Sequence, residues 1–205
     1  MKRTLDVLLA VTSLLVLALP MAVIALLVKA TSRGPVLYWS DRIGRNNRSF
    51  SMPKFRTMKV AAPEVATHLL LDARAWITPV GRILRATSLD ELPQLWCILK
   101  GQMSFVGPRP ALFNQHDLVG LRSAAGVQRL SPGLTGWAQI NGRDELSIPD
   151  KVVLDAYYLS HQSLLFDLKI LLLTFVRVLR REGIAQAGEE RRGKPAIAPE
   201  QRKAA

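Results

Sequence analysis

Two adjacent carboxylates, Asp90 and Glu91, are the residues of this sequence best placed to do chemistry. They lie in the segment Ser88–Pro93, where Ser88 followed three residues later by Glu91 is typical of a helix start. Ordinary capping explains both acids, because the first-turn amides of a helix favour anions. The alternative is a phosphoryl-transfer site, in which Asp90 attacks phosphorus and Glu91 helps to hold a divalent cation.

An arginine between two prolines is the strongest candidate partner for these acids. Pro108 and Pro110 fix the backbone on either side of Arg109 and remove two amide donors. A guanidinium presented in this way meets a phosphate with little loss of conformational freedom. A rigid turn carrying a solvated arginine is the structural alternative.

Further cations lie on a predicted strand and after a turn-rich segment. Period-two alternation places Lys54 and Arg56 on one face of the strand, where they form either a phosphate-binding pair or an exposed basic edge. Arg143 follows the glycine- and proline-containing run 131–142, which turn formation alone also explains.

Composition narrows the class of protein. The chain has 205 residues, enough for one domain, and 28 Lys and Arg against 16 Asp and Glu give it a net charge of +12. Such a charge favours nucleic acid, nucleotide phosphates or anionic lipid as partners. A single cysteine, Cys97, excludes an intramolecular disulfide and a thiolate zinc cluster. The three histidines lack metal-ligand spacing, and the common nucleotide-binding loop motifs are absent.

The element that must position these residues at a membrane is the first segment, 1–30. Residues 7–28 carry no charge and would form a helix about 33 Å long. Pro20 lies inside this run and predicts a bend. Lysines and arginines on both flanks give no clear orientation. The pattern therefore fits a spanning helix and a kinked re-entrant helix equally well.

The remainder predicts a small helix-rich α+β domain over residues 31–182. Two short strands, 36–43 and 49–55, form a hairpin through Asn46-Asn47, and helices follow at 79–86 and 89–99. Glycine and proline predict a loop-rich region over 101–150, and a helical region covers 151–181. The apolar face of that last helix packs in the core or lies at a membrane interface. The charged tail, 183–205, predicts disorder.

In their order and spacing these motifs resemble the bacterial sugar transferases, a family of monotopic polyprenyl-phosphate phosphoglycosyl transferases. The resemblance extends from Lys2 to about Arg181. It is carried by Lys-Arg-x-x-Asp at 2–6, the proline-broken helix, Ser-Arg-Gly-Pro at 32–35, Arg-Ile-Gly-Arg at 42–45, Lys-Phe-Arg at 54–56, Leu-Asp-Glu-Leu-Pro-Gln at 89–94, Pro-Arg-Pro at 108–110 and Pro-Gly-Leu-Thr-Gly at 132–136.

The resemblance implies an enzyme that transfers a sugar-1-phosphate from a UDP-sugar to a polyprenyl phosphate, usually undecaprenyl phosphate, with release of UMP. It implies Mg²⁺, a covalent phosphosugar on Asp90 and a metal-side role for Glu91. Lys54, Arg56, Arg85, Arg109 and Arg143 become candidate substrate-binding residues.

The resemblance also implies a re-entrant helix broken at Leu19-Pro20 and a catalytic domain on the cytoplasmic face of the bacterial inner membrane. The bilayer is then a partner, a homodimer is compatible with the family, and no nucleic acid is expected. Two departures are Leu19, where the family often has serine before the proline, and Asn46-Asn47, where it often has Asn-Gly. The competing hypothesis is a membrane-tethered basic module that binds nucleic acid or anionic lipid without catalysis.

Overall fold

The computed structural model describes residues 1–62, 73–142 and 146–180. The predicted substrate residue Arg143 and the predicted disordered tail, 183–205, lie outside these ranges. The fold is helix-rich α+β, as the sequence predicts. The helices are α1 Lys2–Thr31, α2 Ala73–Trp76, α3 Pro79–Thr87, α4 Leu95–Leu99, α5 His116–Ala124, α6 Trp137–Ile140, α7 Ile148–Ser160 and α8 Leu164–Arg180. The strands are β1 Leu37–Ile43, β2 Ser49–Phe55, β3 Ser104–Val106, β4 Ala111–Leu112 and β5 Gly133–Thr135.

Helix α1 contains the apolar run and extends about 45 Å. With a mean hydropathy of 2.7 it is long and apolar enough to cross a membrane by length and composition. The helix continues through Pro20 without a non-helical residue, so the re-entrant bend stays a prediction. Half of its large apolar side chains, such as Leu15 and Leu19, are exposed.

The predicted hairpin is confirmed. Strands β1 and β2 pair antiparallel, with Leu37 opposite Phe55 and Ile43 opposite Ser49. Asn46 and Asn47 adopt positive φ angles of 55° and 58°, which asparagine tolerates in tight turns. Strand β4 adds to the other edge of β1, so the sheet order is β2-β1-β4.

The predicted single helix over 89–99 is wrong. A 3-10 segment, Leu89–Gln94, precedes α4, and Pro93 within it lacks the amide that an α-helical ladder needs. The predicted capping by Ser88 is also wrong: this residue has a φ of 57° and its side chain makes no capping bond. The Glu91 carboxylate binds two cationic side chains and does not return to the cap.

The loop-rich prediction for 101–150 missed three strands and the helices α5 and α6, since isolated glycines and prolines end elements without preventing short ones. Strands β3 and β5 form a parallel pair. The backbone of β5 and the residue that follows β3 approach so closely that a Cβ atom on Gly133 would lie 2.1 Å from the Gly107 nitrogen. A Cβ atom on Gly107 would lie 2.3 Å from the Ser131 carbonyl oxygen. Glycine is therefore required at both positions.

The predicted helical region 151–181 consists of two helices, α7 and α8. Helix α8 turns Asp167 and Ile170 toward the protein, whereas Leu165, Leu172 and Phe175 are 80, 64 and 62% exposed. Leu171 packs against the core beside Ile170, so only the exposed part of the apolar face departs from core packing. That part agrees with the interfacial alternative, in which it meets a membrane surface.

Both ends of α1 pack against the same domain. Near its start, Lys2 Nζ donates to Asp167 of α8 (2.6 Å), and Asp6 accepts from the Phe105 amide of β3 (3.0 Å). Near its end, Ile24 and Val28 pack against a cluster that includes Phe55 of β2 and Leu84 of α3. The helix thus lies along the domain over nearly its full length.

Candidate active site

The acidic pair begins the 3-10 segment that follows α3. Ser88 turns the chain there with a left-handed conformation, and its amide donates to the Arg85 carbonyl (3.2 Å). The turn directs Asp90 and Glu91 into the protein, where they are only 9 and 8% exposed. Burial of two neighbouring carboxylates is unfavourable unless cations or hydrogen-bond donors surround them.

Glu91 is held by two cations through one oxygen atom. Lys54 Nζ donates to Glu91 Oε1 at 2.7 Å, and Arg109 Nη2 donates to the same oxygen at 2.9 Å. Burial alone would raise the pKa of Glu91, but the charges and hydrogen bonds of Arg109 and Lys54 outweigh it and hold the pKa well below its ordinary value. Glu91 is therefore ionised and fixed.

Asp90 has the opposite environment. Burial raises its pKa above the ordinary value, Lys54 opposes the rise, and the Glu91 charge adds to it. Within the described ranges the Asp90 carboxylate receives no hydrogen bond. Two adjacent acids whose pKa values are moved in opposite directions are suited to different roles. Asp90 has the higher pKa of the two and is not tied down by the hydrogen bonds that hold Glu91. Both properties suit a nucleophile.

The cations come from three separate elements. Lys54 lies on β2, and burial lowers its pKa although Glu91 opposes that change. Arg85 lies on α3, donates from Nε to Thr57 Oγ1 at 2.8 Å, and interacts electrostatically with Asp90. Arg109 follows β3 in the Pro108–Pro110 segment. The fold thus brings four of the predicted site residues close to Asp90: Glu91, Lys54, Arg85 and Arg109.

Arg42 is a site residue that the sequence did not single out. This β1 arginine donates from Nη1 to the Pro110 carbonyl (3.2 Å) and from Nε to Ser40 Oγ (3.0 Å). Burial and the nearby Arg109 charge lower its pKa to about 10, with Glu91 opposing. Its place in the Arg-Ile-Gly-Arg segment was the available signal, but that pattern alone does not show which side chain turns inward.

Arg56 does not join this group. Its guanidinium is buried and donates to the carbonyl oxygens of Pro35 (2.6 Å), Arg33 (2.7 Å) and Ser32 (2.9 Å). Those bonds tie the segment after α1 to the end of β2. Each nitrogen of Arg56 thus donates once to the backbone, away from the acidic pair, and the predicted substrate contact of Arg56 stays a prediction.

The donor set fits a magnesium ion that arrives with a phosphorylated substrate. Among the described residues no cluster of three or more His, Cys, Asp or Glu side chains could enclose a metal. Magnesium commonly uses one or two carboxylates together with substrate phosphates. Both cations on Glu91 bind Oε1, so its Oε2 and the Asp90 carboxylate are the protein oxygens that would complete such a site.

A buried acidic pair surrounded by cations is suited to phosphate-ester chemistry, because guanidinium and ammonium groups bind phosphate. A family model described as bacterial sugar transferase matches residues 1–181. The chain therefore belongs to the bacterial sugar transferase family, as its motifs predict.

Characterised relatives cover most of the chain. It is 38% identical over 201 residues to a UDP-galactose-lipid carrier transferase of Erwinia amylovora, covering 89% of this chain and 41% of the relative. It is 41% identical over 187 residues to an undecaprenyl-phosphate glucose phosphotransferase of Komagataeibacter xylinus, covering 86% and 35%. The chain thus spans about two-fifths of the length of these two proteins. An exopolysaccharide production protein, ExoY of Sinorhizobium fredii, is 38% identical over 197 residues, covering 89% and 87%.

Proposed function

We propose that this chain transfers a sugar-1-phosphate from a UDP-sugar to a polyprenyl phosphate, such as undecaprenyl phosphate, and releases UMP. The observation that carries the proposal is the division of the acidic pair: Glu91 is fixed by Lys54 and Arg109, whereas Asp90 is buried, has a raised pKa and accepts no hydrogen bond from the part of the chain that the structure describes. The names of the relatives, which mention UDP-galactose, undecaprenyl phosphate and exopolysaccharide, support the substrates and a role in the first membrane step of glycoconjugate synthesis.

In the first half-reaction an Asp90 carboxylate oxygen attacks the β-phosphorus of the UDP-sugar. The bond from that phosphorus to the bridging diphosphate oxygen breaks, and UMP leaves with the bridging oxygen and its electron pair. Lys54, Arg85 and Arg109 offset the negative charge of the diphosphate and allow an anion to approach it. Glu91 remains ionised throughout because two cations hold its pKa low.

In the second half-reaction a phosphate oxygen of the prenyl phosphate attacks the same phosphorus. The phosphorus–oxygen bond to Asp90 breaks, and the carboxylate returns with its electron pair. Mg²⁺, when bound, would neutralise phosphate charge beside Asp90 and Glu91. One nucleophile thus serves in turn a substrate that arrives from water and a substrate that arrives from the bilayer.

The packing of α1 supports a re-entrant topology over a spanning one. One domain holds the helix at Lys2 and Asp6 and again at Ile24 and Val28, so a straight crossing would carry part of that domain through the bilayer. The exposed apolar faces of α1 and α8 would embed in one leaflet. We infer that the domain lies on the cytoplasmic face of the bacterial inner membrane, where UDP-sugars are made available.

The competing hypothesis, a basic module without catalysis, predicts cations that are exposed to a polyanion. Lys54 and Arg42 are instead half-buried, and Lys54 and Arg109 are paired with Glu91. This inward arrangement favours the transferase. A homodimer remains an expectation from the family and plays no part in the proposed chemistry.

The proposal is tested with purified protein freed of prenyl phosphate. A set of UDP-sugars is screened with Mg²⁺ and undecaprenyl phosphate for UMP release. With the active donor and no lipid acceptor, the wild type should exchange labelled UMP into the UDP-sugar, and intact-protein mass spectrometry should find one added sugar phosphate.

Asp90→Asn is the critical variant, since asparagine keeps the shape and lacks the anionic oxygen. It should fold, show no adduct and turn over at least 1,000-fold more slowly, roughly the loss expected when a nucleophile is removed. Exchange that strictly requires the lipid acceptor, with no adduct after rapid quenching, would favour direct transfer and reassign Asp90 as a base or metal ligand.

A further inference from the structure

The backbone that carries Arg109 is held at three consecutive carbonyl groups. The Gly133 amide of β5 donates to the Pro108 carbonyl at 2.8 Å. Arg122 Nη1 of α5 donates to the Arg109 carbonyl at 2.9 Å, and Arg42 Nη1 of β1 donates to the Pro110 carbonyl at 3.2 Å. Because two of the three residues are prolines without amide hydrogens, these carbonyl bonds are the main means of fixing the segment.

Arg122 is itself fixed by a buried acid on another helix. Its Nε and Nη2 both donate to Asp155 Oδ2 of α7, at 2.9 and 2.6 Å. The side chains are only 11 and 2% exposed. Two nitrogens on one edge of the guanidinium therefore face Asp155, and its remaining nitrogen is directed at the Arg109 carbonyl.

Global stability alone is a weak reason for this arrangement. A buried ion pair gains little net stability over apolar residues of similar volume, because desolvation offsets the attraction. Arginine also differs from an apolar residue in what it does here: it joins α7 to the backbone carbonyl of Arg109, whose own side chain binds Glu91. Because the guanidinium of Arg122 is planar and all three of its nitrogens donate hydrogen bonds, the position of Asp155 determines where the Arg109 carbonyl is held.

We infer that Arg122 and Asp155 are positioning residues for Arg109, setting the direction from which its guanidinium meets Glu91 and the substrate phosphates. The inference rests on the proposed function, in which Arg109 contacts the diphosphate. It goes beyond that function by making the contact between α5 and α7 a determinant of the reaction.

The informative variant is the double substitution Arg122→Met with Asp155→Leu. It removes both charges together, so neither is left buried without a partner, and the protein should fold. The carbonyl bond to Arg109 is lost, and kcat/KM should fall roughly 10- to 100-fold, as is typical when a reacting group is misplaced by about an ångström. Hydrogen exchange measured by mass spectrometry should rise over residues 107–112.

A double-mutant cycle separates positioning from a general structural effect. In an Arg109→Lys background, the same double substitution should reduce kcat/KM by less than about threefold, because the group being positioned is already gone. The matched control is Asp167→Asn, which weakens a different ion pair between distant elements, Lys2–Asp167. Its effect should multiply with that of Arg109→Lys.

Two results would overturn the inference. One is unchanged hydrogen exchange over residues 107–112 in the double variant. The other is a loss of kcat/KM caused by the double substitution that is as large in the Arg109→Lys background as in the wild type, as is expected for the Asp167→Asn control. The exchange measurement does not require turnover. Failure of the wild type to release UMP from any UDP-sugar would therefore count against the proposed function alone.

Discussion

Replacing Lys54 by methionine tests whether the two cations on Glu91 hold the site together. The ammonium lies 2.7 Å from Glu91 Oε1, and the two side chains are 15 and 11% exposed. Removing one partner of a buried ion pair costs about 3–5 kcal/mol when nothing replaces it. Arg109 still donates to the same oxygen, so we expect about half of that cost, roughly 2 kcal/mol.

Thermal unfolding in detergent micelles, followed by circular dichroism at pH 7, measures this cost. For a chain of this size roughly 2 kcal/mol lowers the melting temperature by about 4–8 °C. Lys100→Met is the matched control, because it removes the same charge from an exposed lysine over the Trp96 ring. Glu91→Gln should cost less stability in the Lys54→Met background than in the wild type.

The same variant should change the pH dependence of activity. In the proposed mechanism Asp90 attacks as a carboxylate, so kcat/KM should fall as the pH drops through the pKa of Asp90. Lys54 favours the ionised form, and its removal raises the pKa of Asp90. The acid limb of the kcat/KM profile should therefore move to higher pH. Melting temperatures equal to the Lys100→Met control, together with an unmoved acid limb, would refute this account of the site.

Two further predictions concern the membrane helix and the second sheet. Cysteines introduced at Thr4 and at Ser32, each in a Cys97→Ser background, should react equally with an impermeant thiol reagent from the cytoplasmic side only; labelling from opposite sides would establish a spanning helix. Gly133→Ala should lower the melting temperature by several degrees, because its Cβ atom would lie 2.1 Å from a facing backbone nitrogen. Gly120→Ala, which meets no atom within 4 Å, should raise it slightly or leave it unchanged, and equal behaviour of the two variants would contradict the close approach.

Local patterns in the sequence were sufficient for the hairpin and for most of the site. Alternation and the asparagine pair predicted β1 and β2, since both depend on neighbouring residues. Asp90, Glu91 and Arg109 stood out because an acidic pair and an arginine between prolines are uncommon local arrangements. The sequence could not show that Lys54 and Arg109 share one oxygen of Glu91, because the three residues are separated by up to 55 positions.

The errors have the same origin. Arg56 and Lys54 look alike on a strand, and only the tertiary path of residues 32–35 decides which one turns to the acids. Helix α8 shows a clear apolar face, yet periodicity does not reveal whether that face meets the core or the bilayer. Arg122 and Asp155 lie 33 positions apart on two different helices, so nothing local signals their pairing.

The membrane helix and the acidic pair share one apolar cluster, which explains why a membrane element is built into the catalytic fold. Ile24 and Val28 of α1 pack with Phe55 and Leu84, the immediate neighbours of Lys54 and Arg85, and Leu89 and Leu92, which flank the acidic pair, pack against the same cluster. Each of these elements therefore buries an apolar residue against α1 and presents the adjacent charged residue to the site. In the proposed mechanism, a prenyl phosphate lying in the bilayer along α1 would bring its phosphate toward Asp90, because α1 packs against the residues that flank the acidic pair.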